Sequence, residues 1–164
     1  MLDLTNIDVL ELLRALGVPY VWGGGALADG PETWPEGARV QVPGGYVRGW
    51  DCSGFAQAAL LALGQVRPDA WPDIRAHDLA NACDPVHPGE EQIGDLAFYG
   101  GEDARGKSVI SHVMVVLAPG LVIGATGGTS RTMGMDARAC VAACPLRYRR
   151  DLVVVGRIKE EYRA

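Results

Sequence analysis

Histidine is scarce in this chain, with three residues in 164, at positions 77, 87 and 112. Any chemistry that needs an imidazole must draw on one of those three. Clustered lysine and arginine are missing too, and 15 basic against 20 acidic side chains leave a net charge of −5. That balance excludes a nucleic-acid surface, because phosphate binding needs a concentrated positive field. No apolar run approaches the roughly 20 residues that cross a bilayer, so no membrane span is expected. The start, "MLDLTNIDVLELLRALG", lacks a basic segment followed by an unbroken apolar stretch and does not read as a secretory leader. The expectation is a chain made in the cytoplasm without a signal peptide. Cysteine is limited to Cys52, Cys83, Cys140 and Cys144. Cys140 and Cys144 have no histidine or further cysteine beside them in sequence, so a zinc site is unsupported. No metal or other cofactor is expected, and Cys83, Cys140 and Cys144 read as core thiols.

What is present has the size and apolar content of one globular domain over residues 1–164. Leu4, Ile7, Leu10, Leu13 and Leu16 recur at helical spacing and predict a helix over 3–16, stopped by Gly17. From Ala26 to Trp50 the chain is rich in glycine and proline without a period. It reads as a long surface loop carrying Trp34, Tyr46 and Trp50, which either line a cleft or anchor the loop to the core. A helix follows over 52–63 with Phe55, Ala56, Ala59, Leu60 and Leu63 as its apolar stripe, and a shorter one from about Ile74 to Cys83. "GDLAFYG" predicts a strand, "HVMVVLAPGLVIGATGG" a hairpin turning at Ala118-Pro119-Gly120, and "LRYRRDLVVVGRI" a further strand. Helices first and strands afterwards imply an α+β fold with an antiparallel sheet.

The segment "DCSGF", residues 51–55, sets a thiol at the mouth of a helix. A thiol attacks as the thiolate, which is a minor form at neutral pH. Unpaired N–H groups in a first helical turn favour the anion, and a nearby imidazole can accept its proton. His112 opens "HVMVVL", whose alternation sends Val113, Val115 and Leu117 to one face and His112, Met114 and Val116 to the other. His77 and His87 read as surface residues. On the residues alone, a buried thiol and an unrelated strand-edge imidazole are the plainer reading of Cys52 and His112.

"PYVWGGG", "DCSGF", "GDLAFY" and "HVMVVL" turning into "VIGATGG", in that order, resemble the NlpC family of papain-like cysteine peptidases, which cut bacterial cell-wall peptides. The resemblance runs over roughly residues 5–126. It implies a papain-like fold with the nucleophile helix packed on a central antiparallel sheet. It also implies Cys52 as nucleophile, His112 as general base, and the Cys52 main-chain N–H as an oxyanion donor. Tyr20 is then a polar neighbour of the thiol, and Asp51 and Ser53 hold the amino end of a stem peptide. Helix capping alone accounts equally well for Asp51 and Ser53. The implied partner is peptidoglycan peptide. The tail from Gly124 to Ile158 resembles versions encoded by bacteriophages and prophages, which implies an endolysin or a tail-associated wall hydrolase, with phage tail proteins as possible partners and phage-type delivery to the wall.

Three departures stand out. The family's usual third polar residue, which orients the base, falls at Gly124, leaving Thr126 as the nearest side chain for that role. The stretch before "DCSG" is longer than the family usually has. Ala76 or His77 stands where relatives tend to carry a serine. Two further readings therefore stay open: a papain-like amidase or acyltransferase with another target, such as a toxin amidase, and a structural or assembly protein of the same fold with weak catalysis.

Overall fold

Asp51 begins the central helix of the molecule. Its backbone is extended (φ −85°, ψ 177°) and its carboxylate accepts the Gly54 N–H at 2.7 Å. This satisfies one of the orphan donors of the first turn of α2, Cys52–Ala62. Phe55, Ala56, Ala59 and Leu60 of α2 are fully buried, each large apolar side chain contributing about 1.5–3 kcal/mol by leaving water. The computed structural model describes residues 2–25, 34–70 and 75–164. Within them the other elements are α1 (Ile7–Leu13), β1 (Ala38–Val42), β2 (Gly45–Gly49), α3 (Ala76–Asn81), β3 (Cys83–Pro85), β4 (Leu96–Glu102), β5 (Ser108–Ala118), β6 (Leu121–Thr126), β7 (Cys140–Pro145) and β8 (Leu152–Ile158).

The expected α+β architecture is present. Six strands form an antiparallel sheet in the order β3-β8-β4-β5-β6-β7, and α2 packs on β5 and β6 with α3 beside it. The alternation read along β5 also holds. Val113, Val115 and Leu117 join the main core under the helices, while Met114 and Val116 join a smaller cluster on the other face with Ala97, Tyr99 and Val122.

Several expectations need correction. The N-terminal helix is shorter than 3–16, and its buried side is Val9 and Leu12, with Ala15 buried in the turn that follows. Of the predicted stripe, Leu4, Ile7, Leu10 and Leu16 are exposed and Leu13 is half-buried. A segment apolar on two neighbouring stripes does not say which one meets the sheet; tertiary packing chooses. The predicted 26–50 loop contains a hairpin, β1 and β2, with Val42 opposite Gly45 across a Pro43-Gly44 turn. The alternating Val40 and Val42 carried that signal, diluted by glycines on both sides. Residues 26–33 of that loop, and Ile74 at the start of the predicted third helix, lie outside the described residues. Strand β7 went unread, because Cys140–Pro145 is short and rich in alanine. Cys83, Cys140 and Cys144 are half-buried on edge strands, not core thiols.

His112 also does not open its strand, which starts four residues earlier at Ser108. Tyr99 pairs with His112 but Gly100 pairs with Ile110, so Ser111 is the extra residue of a β-bulge. Such a bulge bends the strand and re-aims the adjacent side chain.

One buried carboxylate ties the sheet together. Asp95, at the entry to β4, accepts both Nε and Nη2 of Arg157 on β8 at 2.8 Å and the Gln92 N–H at 2.7 Å. Its side chain is 4% exposed against 36% for Arg157. Asp95→Ala is expected to lower stability by about 2–4 kcal/mol, since it strands the guanidinium and a main-chain donor. Urea unfolding checks this; a midpoint within error of the parent protein would contradict it.

Candidate active site

Two glycines let the chain close around the start of α2. A side chain on Gly54 would collide with the Gly24 carbonyl, and one on Gly24 would strike the main chain of Gly49 and Trp50. The Asp51 N–H donates to that same Gly24 oxygen at 3.2 Å, so "WGGG" and "DCSG" interlock through backbone alone. The segment bearing Tyr20 is threaded between two others. Tyr20 N–H donates to Ala139 O at 2.9 Å, and Trp50 N–H donates to Pro19 O at 3.1 Å. Tyr20 is buried beside Cys52 and Asp51; burial, reinforced by those two acidic neighbours, raises its pKa.

The Cys52 sulfur sits in this closure. Main-chain N–H groups of Val113, Ser53 and Cys52 itself face it and favour the anion, but burial outweighs them and Asp51 adds to the opposing effect. The thiol is pushed up to about 11. The helix start therefore does not by itself hold this sulfur as a thiolate. Ser53 Oγ donates to Asp51 Oδ1 at 3.3 Å. Asp51 and Ser53 are thus tied into the helix cap, the structural role that the sequence left open for them.

Val113, whose N–H reaches the sulfur, directly follows His112. The imidazole lies against Tyr99, with ring centroids 5.7 Å apart. Its Nε2 is 2.9 Å from the hydroxyl of Tyr148. Burial, with the nearby Arg149 guanidinium, lowers the His112 pKa to about 4, against a smaller opposing pull from Asp151. At neutral pH the thiol and the imidazole are therefore both neutral.

Residues 17–141 match the NlpC/P60 family. The chain belongs to that family. It is 33% identical over 116 residues to the peptidoglycan endopeptidase RipB of Mycobacterium tuberculosis, covering 71% of this chain and 41% of that protein. It is 29% identical over 119 residues to the bifunctional muramidase/DL-endopeptidase CwlT of Bacillus subtilis, covering 73% and 28% respectively. The chain thus spans less than half the length of either relative. Among solved structures, the P60 domain of a M. avium subspecies paratuberculosis antigen superposes with TM-score 0.59 at 27% identity, over 93% of both chains. RipD of Mycobacterium tuberculosis, described as a non-catalytic NlpC/p60 domain protein adapted to peptidoglycan binding, superposes with TM-score 0.59 at 22% identity, over 98% of this chain and 99% of that one. That last likeness speaks for the fold alone.

This NlpC/P60 site departs from the sequence reading at the far side of the His112 imidazole. Thr126 does not meet His112 directly; its Oγ1 is 3.0 Å from the Tyr148 hydroxyl, one link further out. A Cβ on Gly124 would lie 2.6 Å from Met114 Sδ, so a side chain there requires Met114 to move. Tyr148 went unread because it lies 36 residues beyond His112, between β7 and β8, where no spacing rule connects the two. Trp50 is fully buried with Nε1 donating to Pro35 O at 3.1 Å, and Trp34 Nε1 donates to Glu11 Oε1 at 2.8 Å. Both act as anchors of the 34–50 segment, whereas Tyr46 is exposed under the Arg39 guanidinium. His77 and His87 are exposed and away from these contacts.

The buried neutral imidazole makes stability depend on pH. Unfolded, it binds a proton near 6.5; folded, only near 4. Between those values the unfolded chain holds more protons, so acidification favours unfolding, and the full contribution is present above pH 6.5. The expected loss on reaching pH 4 is on the order of 3 kcal/mol. His112→Asn should flatten this part of the pH dependence in parallel urea titrations; equal slopes for both proteins would refute it.

Proposed function

We propose that the chain is a cysteine-dependent peptidoglycan hydrolase cleaving an amide bond of the cell-wall stem peptide, with Cys52 as nucleophile and His112 as general base. The observation that carries this reading is the Cys52 sulfur at a capped helix start, facing the N–H of the residue that follows His112, in a chain 33% identical to an endopeptidase over its matched length.

His112 Nε2 is engaged by Tyr148, which leaves Nδ1 to take the thiol proton. Sulfur attacks the carbonyl carbon as that proton leaves, and the carbonyl electron pair moves onto oxygen. The N–H of Cys52 is a donor for the oxyanion, and Tyr20 is a second polar group beside it. Collapse of the tetrahedral intermediate expels the amine, which takes the proton from His112 Nδ1. Water, deprotonated by the same nitrogen, then releases the acyl group from sulfur. Asp51 borders this site as an anion suited to a stem peptide's ammonium group, with Ser53 beside it.

A neutral resting pair sets the acid limit. Base function is lost only when His112 is protonated, so hydrolysis should persist to about pH 5 and decline through about pH 4, well below the usual imidazole range. The phage-like tail supports a finer proposal, that the enzyme reaches the wall by bacteriophage-type delivery, as an endolysin or on a tail assembled with other tail proteins.

Mass spectrometry of purified wall fragments tests the chemistry. The expected result is a new amine and carboxylate end within the stem peptide, absent with Cys52→Ala of unchanged fold. Cleavage that survives Cys52→Ala would overturn the mechanism. Wall fragments bound but uncut by the parent protein would favour a binding role, and a cut outside the stem peptide would favour an amidase.

A further inference from the structure

Tyr148 is the hub of a half-buried polar cluster beside the imidazole. Its hydroxyl is 2.9 Å from His112 Nε2 and 3.0 Å from Thr126 Oγ1, and the Arg149 guanidinium is a nearby cation. Arg149 is itself fixed by Asp151, with Nε to Oδ1 at 2.9 Å and Nη2 to Oδ2 at 2.6 Å. The ring is wedged edge-on against Tyr99, centroids 5.5 Å apart, and Tyr99 OH donates to Leu146 O at 2.8 Å. The oxygen is therefore held in place from several sides.

A phenol oxygen has one hydrogen to give and two lone pairs. While His112 is neutral, the phenol hydrogen can serve the His112 and Thr126 contacts in two ways. Either Nε2–H donates to Tyr148 and the phenol hydrogen points to Thr126, or the phenol donates to a bare Nε2 and Thr126 donates to the phenol. Only the first leaves Nδ1 unprotonated. An imidazolium carries N–H on both nitrogens, so once His112 has taken a proton at Nδ1 the Tyr148 oxygen must accept. Among the described residues, the acceptor at hand for its displaced hydrogen is Thr126 Oγ1.

We propose that Tyr148 is the positioning residue of the His112 base, and that Thr126, by accepting the phenol hydrogen, allows the tautomer with Nδ1 free. The inference rests on the Cys52–His112 chemistry proposed above. It assigns the orienting role to the β7–β8 connection in place of β6, where Met114 packs against Gly124.

Histidine-selective nitrogen NMR on the intact protein reads the tautomer without any need for turnover. The parent protein should show His112 protonated at Nε2 near pH 7. Thr126→Val should shift it toward the Nδ1–H form and lower kcat on a stem-peptide substrate by roughly a hundredfold with KM little changed. Thr126→Ser should restore both readouts. Tyr148→Phe should lower kcat by a similar factor and broaden the His112 signals, as the ring loses its fixed partner. A parent protein already in the Nδ1–H form, or a Thr126→Val variant with parental tautomer and kcat, would overturn the proposal. So would a loss in Thr126→Val that serine fails to rescue. Should Tyr148→Phe not fold, the valine and serine pair decides alone. If the parent protein cuts no stem peptide, the functional reading fails, and the tautomer measurement still rules on Tyr148.

Discussion

The first turn of α2 is pressed against foreign backbone on two sides, and the rest of the site follows from that squeeze. On one side the absent side chain of Gly54 admits the Gly24 carbonyl; on the other the Val113 N–H comes up to the Cys52 sulfur. The closeness excludes water, and exclusion of water raises the thiol and lowers the imidazole. Donor groups aimed at the sulfur reduce the cost of the anion but do not abolish it. The fold thus keeps both partners neutral until a substrate changes the balance.

Holding an imidazole neutral leaves its orientation to other contacts. An ion pair aligns itself by charge, whereas a neutral imidazole has two tautomers and needs an outside contact to choose between them. The bulge at Ser111 turns His112 toward the face where Tyr99 and Tyr148 pack, and the Arg149–Asp151 pair braces that face from the surface. Asp95 and Arg157 do similar work at the other end of β4, bonding β8 to the entry of the strand that neighbours β5. Sheet rigidity and imidazole geometry are in this sense one problem.

Much of this was legible in sequence because it is local. Asp51 before an apolar stripe marks a capped helix, and alternation along "HVMVVL" assigns each residue of β5 to its face. The order of motifs gave the family, and the family gave the thiol and the imidazole. Locality also explains the failures. Two apolar stripes on α1 are equivalent until a sheet edge selects one, and a bulge inserted at Ser111 leaves no composition signal. Thr126 was read as a direct partner of His112 because strand spacing put it nearby; Tyr148 intervenes from a segment with no fixed spacing to either.

The sequence by itself determined the α+β class, the capped helix with cysteine in its first turn, and the strand that carries the histidine, since these depend on neighbours a few residues apart. Only the tertiary structure decided the protonation states of that pair and the identity of the group behind the imidazole. Both depend on how much water is excluded and on which distant side chains converge, and chain order does not encode those quantities one residue at a time.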